Sequence, residues 1–466
     1  MRTYKVLSLF SGAGGLDLGF VMSGRFEILA ANDIEEHMVK TYSINFGARI
    51  VPRLQPRLYP QVILGDVSKV NFSLLKDEGI NVVVGGPPCQ DFSILRSSTA
   101  ERGGIQVRRG RLYAYFVRAL VEIQPEAFVF ENVPGLLTAN GGLAYKVILE
   151  DFANLNLRWD EVRKSLGNNG DVPGNVKGYN VLFSEVVEAT AFGVAQQRRR
   201  LIVVGIRKDL IKKDRTFDIA TKFRKLMLGG REVLKKHPLT AMEVFEGLPL
   251  TKLSSKYVEV VKEYEGVWNE VGTEKIAEWK RKVWDRLTFD VVKDYCFFNE
   301  ISPCNEREVG DIVETVHGAL LKEMGYYGVR VSDAEVSDNS HVAPAEPSDI
   351  VAKVKMIPFG ENFEMLVGSK WELRRKGVSQ IYRRLSPLMP SYTVVAYGGG
   401  GMAMYHYERH RSALTIREKA RLQSFPDSFR FVGSLSNMKA EVGEAVPPLM
   451  AKAIASALAG LLDKIF

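Results

Sequence analysis

Over the first 210 residues, apolar positions fall in short runs broken by glycine, proline and acidic residues, too short and too β-branched to be buried helices. Residues 6–10 (VLSLF), 26–31, 62–64, 82–84 (VVV), 128–130 (FVF) and 201–206 each predict a buried strand. Helices are predicted between them, from Leu16 onward and over 112–123, where Tyr115, Ala119 and Leu120 are spaced to face a core. Strands alternating with helices predict an α/β sheet that binds ligands outside its strands' carboxyl ends.

From about residue 212 the alternation fades. Residues 258–264 and 275–286 predict charged helices, and the polar, proline-containing stretch near 333–350 predicts a loop or linker, so a second domain is expected here. Thr415 with Glu418 three residues on predicts a capped helix, and 449–461 forms an apolar stripe after Pro447-Pro448 that needs a core. The chain is expected to divide into 1–211, 212–436 and a terminal helical segment, 437–466, that returns to the first domain. The apolar tail is too short for a bilayer and contains Lys452, and the amino terminus lacks a signal-peptide pattern, so no membrane association is expected.

Sixty-three lysines and arginines against 55 acidic residues give +8, which admits a polyanionic partner but equally a well-solvated surface. Three cysteines, Cys89, Cys296 and Cys304, are odd in number and too few for a disulfide framework, so a reducing compartment is expected, with Cys296 and Cys304 structural. Six scattered histidines do not complete a zinc site, and no metal is expected.

The chemistry converges on NVVVGGPPCQDFS, 81–93: a strand ends in two glycines, and two prolines stiffen the loop that presents Cys89, a candidate nucleophile. After the first strand, Ser11-Gly-Ala-Gly-Gly15 is a turn whose backbone N–H groups can approach a ligand. Asp17 occupies the sixth position after Gly12, which disfavours a dinucleotide fingerprint. Asp33 ends the second strand where a ribose carboxylate belongs, or caps the next helix; Asp66 accepts from an adenine amine or holds a turn. Glu131, ending an apolar strand, is a candidate proton donor of raised pKa. Arg198 and Arg200, alternate residues leading into a strand, are expected on one side of it, either gripping a base carbonyl or phosphate or forming a solvated charge run, and the basic loop 96–111 is either a closure over substrate or a flexible connection.

FSGAGG (10–15), ND (32–33), GDV (65–67), GPPCQDFS (86–93), ENV (131–133), QQRRR (196–200), LTIREKARLQSFPD (414–427) and VGEAVPP (442–448) occur in the order seen in DNA (cytosine-5) methyltransferases, and the chain resembles that family over 1–210 and about 385–466. The resemblance implies a Rossmann-like, S-adenosyl-L-methionine-dependent methyltransferase domain with an inserted, smaller target-recognition domain. It implies Cys89 as the nucleophile on cytosine C6, Glu131 on N3, and Arg200 supported by Arg198 on the base or active-site groups. It places the cofactor against Phe10, Gly12, Ala13, Gly15, Leu16, Asp33, Ile34, Asp66, Val67, Gly86, Pro88, Leu112, Glu444, Ala445 and Val446. DNA contacts fall on Gln90, Ser93, Thr393, Gly399 and Gly400.

The products implied are 5-methylcytosine in double-stranded DNA and S-adenosyl-L-homocysteine, made by a monomer in a prokaryotic cytosol, with a cognate restriction endonuclease as a candidate partner. The family's usual Gln-x-Gly-Asn is here Glu441-Val-Gly-Glu444, and a carboxylate at 444 is expected to repel the cofactor's own. Tighter cofactor binding by Glu444→Asn in calorimetry would bear that out, and unchanged binding would refute it. Two rivals share the motifs. A transfer-RNA cytosine-5 methyltransferase usually has Cys-Phe-Thr where this chain has Cys296-Phe-Phe298, and a silent DNA-binding relative would not need both Cys89 and Glu131.

Overall fold

The computed structural model describes residues 2–88, 111–166, 175–373, 381–396 and 404–465. Cys89, Gln90, Ser93, Gly399, Gly400 and most of the basic loop 96–111 lie outside them.

The chain folds as two units: 1–188 with 199–230 and 445–466, and 189–198 with 231–444. Among the described residues the first unit holds an eight-stranded sheet in the order β3-β4-β2-β1-β5-β6-β8-β7. Its strands are β1 (Tyr4–Leu9), β2 (Phe26–Asp33), β3 (Arg49–Val51), β4 (Gln61–Leu64), β5 (Val82–Gly85), β6 (Ala127–Asn132), β7 (Tyr179–Glu188) and β8 (Arg199–Arg207). β1 to β6 pair in parallel, while β8 runs antiparallel to both β6 and β7. Parallel strands covered on both faces need continuous apolar runs, and Val82, Val83 and Val84 of β5 are accordingly 0% exposed.

β1 leads through helix α1 (Gly15–Met22) to β2 on one side, while β5 lies on its other side. The strand order reverses between β1 and β5, and at such a switch point the loops leaving neighbouring strands part to form a crevice. The glycine turn after β1 and the Gly-Gly-Pro-Pro loop after β5 leave from this place.

Helices α2 (Glu36–Phe46), α3 (Arg111–Ile123), α4 (Leu143–Ala153), α5 (Leu155–Ser165), α6 (Thr216–Leu228) and α7 (Pro448–Leu462) complete this unit. α7 packs on α1 and α6. A side chain at Gly19 of α1 would meet Ala451 Cβ at 2.3 Å and Pro448 O at 2.5 Å, so glycine sets how closely the two helices approach. The first domain therefore extends past the expected boundary at 211, because α6 packs on β7 and α7. The segment expected to return to it is divided: Leu435–Glu444 belongs to the second unit, and the return begins at Ala445.

The second unit is mostly helical. Thr415 closes the expected capping box with Glu418. The stretch near 333–350 is anchored rather than a free linker, since Asp338 accepts from Arg417 Nη2 at 3.1 Å and Phe431 N at 2.7 Å. Cys296 and Cys304, expected to be structural, are bonded to each other, which the expectation of a reducing compartment did not anticipate. Odd cysteine number says nothing about which two lie within reach; the end of helix Val291–Phe298 and the following loop bring these two Cα atoms to 5.9 Å.

Candidate active site

The turn after β1 is pinned to the end of β2. Ser11 N donates to Asn32 O at 3.1 Å, and Gly12 N donates to Asp33 Oδ2 at 2.8 Å. Phe10, Gly12 and Gly14 all take positive φ, and at Gly14 a Cβ would meet the Phe46 ring at 2.4 Å, so this turn tolerates no bulk there. Asp33 Oδ1 accepts from Glu35 N at 3.0 Å. Burial raises the Asp33 pKa, the N–H donors of Glu35, Gly12 and Ile34 pull against it, and the net direction is upward. Asp33 thus braces the glycine turn and the chain leading into the next helix, but the N-cap of that helix is Glu35, so Asp33 does not itself cap it. Beside it Ile34 is 63% exposed, a large apolar side chain left facing outward. Ala13, Gly15, Leu16 and Val67 are buried beneath these loops, and Leu112 is half-buried on α3.

Asp66 follows β4, caps a helical turn by accepting from Ser68 N at 2.8 Å, and is itself exposed. Asn32, which sequence reasoning passed over as a site residue, donates to Ile63 O at 3.1 Å and Gly65 O at 2.9 Å. It fixes the end of β2 to the turn that bears Asp66. A fully buried asparagine at the end of an apolar run was the available signal, because its amide must find partners.

On the other side of β1, β5 and β6 end together. Glu131 forms an ion pair with Arg200, Nε to Oε1 at 2.8 Å, with both side chains nearly buried. β8 sets Leu201 opposite Asn132, which delivers Arg200 to the same sheet edge. A Cβ at Gly86 would lie 2.6 Å from Glu131 Oε2, so glycine there lets the carboxylate rest against the loop main chain. Asn132 Nδ2 donates to Pro87 O at 3.0 Å. The proline loop that leads into Cys89 is therefore tied to β6, next to a carboxylate and a guanidinium. Glu131, read from the sequence as a candidate proton donor, is ion-paired with Arg200 in the structure.

Arg198 and Arg200 do not share a strand face, because β8 begins at Arg199. Arg198 lies in the second unit, 1% exposed, donating to Val394 O at 3.0 Å and Gly443 O at 2.8 Å. Gln196 and Gln423 join the same network, through Gln196 Oε1 to Val394 N at 3.0 Å and Gln423 Nε2 to Val442 O at 3.0 Å. Thr393, exposed, donates to Gln197 O at 2.6 Å, and Glu444 is exposed at the end of its helix. In the first unit, Ala445 is half-buried and Val446 buried at the entry to α7.

The family model for C-5 cytosine-specific DNA methylase matches residues 4–460. The chain belongs to that family. It is 51% identical to the DNA (cytosine-5-)-methyltransferase M.ApeKI of Aeropyrum pernix, over the whole of both chains. It is 30% identical to the type II methyltransferase M.NgoFVII of Neisseria gonorrhoeae, across 95% of this chain and 83% of that one. Among solved structures, a prophage-encoded DNA modification methyltransferase from E. coli shares the fold with a TM-score of 0.56 at 22% identity, covering 99% of this chain and all of that one. The protein is thus a DNA (cytosine-5-)-methyltransferase, of a family that depends on S-adenosylmethionine.

Proposed function

We propose that this methylase modifies C5 of a cytosine turned out of double-stranded DNA, through a transient bond between Cys89 and C6. The observation that carries the reading is the Glu131–Arg200 pair held against the Gly86-Pro87 main chain, two residues before Cys89. Cytosine C5 is a poor nucleophile until a thiolate adds at C6, and positive charge nearby favours that thiolate. Glu131, ion-paired with Arg200 in the free chain, takes up a proton from solvent as the base docks, hydrogen-bonds N3 while oriented by Arg200, and spreads the negative charge that develops on the ring as the C–S bond forms. Loss of the C5 proton after methylation expels the thiolate and restores the aromatic base. Because C6 is stacked within a duplex, the base must leave the helix at a cost of about a few kcal/mol.

The residues around the β1 turn fit S-adenosyl-L-methionine: Ile34 offers an exposed apolar platform for adenine, Asp33 a carboxylate for the ribose hydroxyls, Asp66 an acceptor for the adenine amine, and Gly12 to Gly15 a close approach for the methionine end. When bound, the cofactor supplies an electrophilic sulfonium methyl. The second unit, with Thr393 and the 399–400 glycines, would read the target. The family's type II members suggest a cognate restriction endonuclease for this chain. Bisulfite sequencing of plasmid DNA treated with protein and S-adenosylmethionine tests activity, base and site together. Cys89→Ser should abolish methylation while DNA binding persists; a fully active serine variant would overturn the nucleophile assignment.

A further inference from the structure

Arg118, a cation in the middle of α3, is only 9% exposed. Its guanidinium donates from Nη1 to Ser68 O at 3.1 Å, from Nη2 to Val70 O at 2.5 Å and from Nε to Glu122 Oε1 at 2.7 Å, and lies 5.0 Å over the Phe72 ring. Burying a cation on main-chain carbonyls costs more than filling the space with an apolar side chain, unless fixed geometry is the gain. The two carbonyls belong to the turn that starts at Asp66, whose Oδ1 is already bound by Ser68 N. Asn32 holds Gly65 from the opposite side. Val67 and Val70 bury their side chains in the core beneath the turn, while Asp66 itself is exposed, so these two main-chain clamps add to that anchorage in setting where its carboxylate stands.

We propose that Arg118 is a positioning residue for cofactor recognition: by gripping Ser68 and Val70 it sets the Asp66 turn so that the carboxylate meets the exocyclic amine of the cofactor's adenine. This rests on the reading of Asp66 as the adenine acceptor. Arg118 touches no cofactor atom. Its effect should therefore be confined to the one group that Asp66 reads. A lysine keeps the stem over Phe72 but offers no planar fork to serve two carbonyls.

The test is calorimetric titration of the full chain with S-adenosylhomocysteine and with its inosine analogue, which lacks the amine, on the wild type, Arg118→Lys, Asp66→Asn and the double variant. Arg118→Lys should weaken S-adenosylhomocysteine binding about three- to tenfold, the scale of one hydrogen bond, and leave the inosine analogue unchanged. The double variant should bind no more weakly than Asp66→Asn alone. Equal weakening of both ligands, or additive losses in the double variant, would show a merely structural arginine and overturn the proposal. Should Arg118→Lys fold poorly, Glu122→Gln, which removes the charge that steadies the guanidinium without removing the clamp, should show a smaller loss of the same selectivity; a loss shared by both ligands again overturns it. Failure of the wild type to bind S-adenosylhomocysteine would instead refute the cofactor reading itself.

Discussion

Replacing Asp17 with asparagine should stabilise the first unit by about 3 kcal/mol near pH 8 and do almost nothing near pH 4. Asp17 is fully buried in the first turn of α1, and neither carboxylate oxygen makes a hydrogen bond of good geometry among the described residues, although the Ser8 and Tyr42 hydroxyls lie close to it. Burial is the main cause that lifts its pKa from 3.8 to about 6, with Ser8 and Tyr42, which face it, pulling weakly the other way. A folded pKa above the unfolded one means that the native state binds the extra proton. Below the unfolded pKa both states are protonated and there is no penalty; the penalty grows between the two values and is complete above about 6. A difference of roughly two units at about 1.4 kcal/mol each gives about 3 kcal/mol. Asparagine keeps the shape and removes the ionisation. Urea titrations at several pH values, read from hydrogen-exchange protection of β1 amides so that the second unit does not contribute, would measure it. A gain independent of pH, or an asparagine variant less stable at pH 8, would refute the reasoning.

Two further outcomes follow from the geometry. Cys304→Ser should destabilise the second unit by about 2–3 kcal/mol, the entropy of an eight-residue loop closure, and reduction of the wild type should reproduce the loss; thiol counting should give one reactive cysteine per chain before reduction and three after it. Equal stability of the oxidised and reduced protein would contradict the bond's structural role. Glu131→Gln should lower turnover by about 10²–10⁴-fold with DNA affinity largely kept, checked by single-turnover methylation alongside a binding titration. A loss seen only in DNA binding would move Glu131 out of the chemistry.

The parts of the site legible in the sequence are those whose backbone demands leave a local mark. The β1 turn needs glycine at 12 and 14, the β5 loop needs it at 86, and Glu131 ends a run too apolar to be a surface loop. Partners supplied from afar leave no such mark. Nothing within α3 marks what Arg118 will meet; Ser68 and Val70 are brought to it by β4 and the turn after it. Arg198 and Arg200 are two apart in sequence, yet one serves backbone carbonyls of the second unit and the other the carboxylate of β6. The domain boundary was illegible for the same reason: the apolar stripe of α6 declares that a surface must cover it but not which, and β7 with α7 does so. Asp17, useful in the sequence only for excluding a dinucleotide fold, proves to be a buried acid that faces Ser8 of β1 and Tyr42 of α2.

The most direct measurement is mass spectrometry of the protein after incubation with S-adenosylmethionine and duplex DNA carrying 5-fluorocytosine at the methylated position. Fluorine at C5 cannot leave as a proton does, so the account predicts a stable adduct of protein, DNA and one methyl group, with the cross-linked peptide mapping to Cys89 and no adduct from Cys89→Ser. Full methylation of ordinary cytosine without any trapped adduct, or an adduct at a residue other than Cys89, would contradict it.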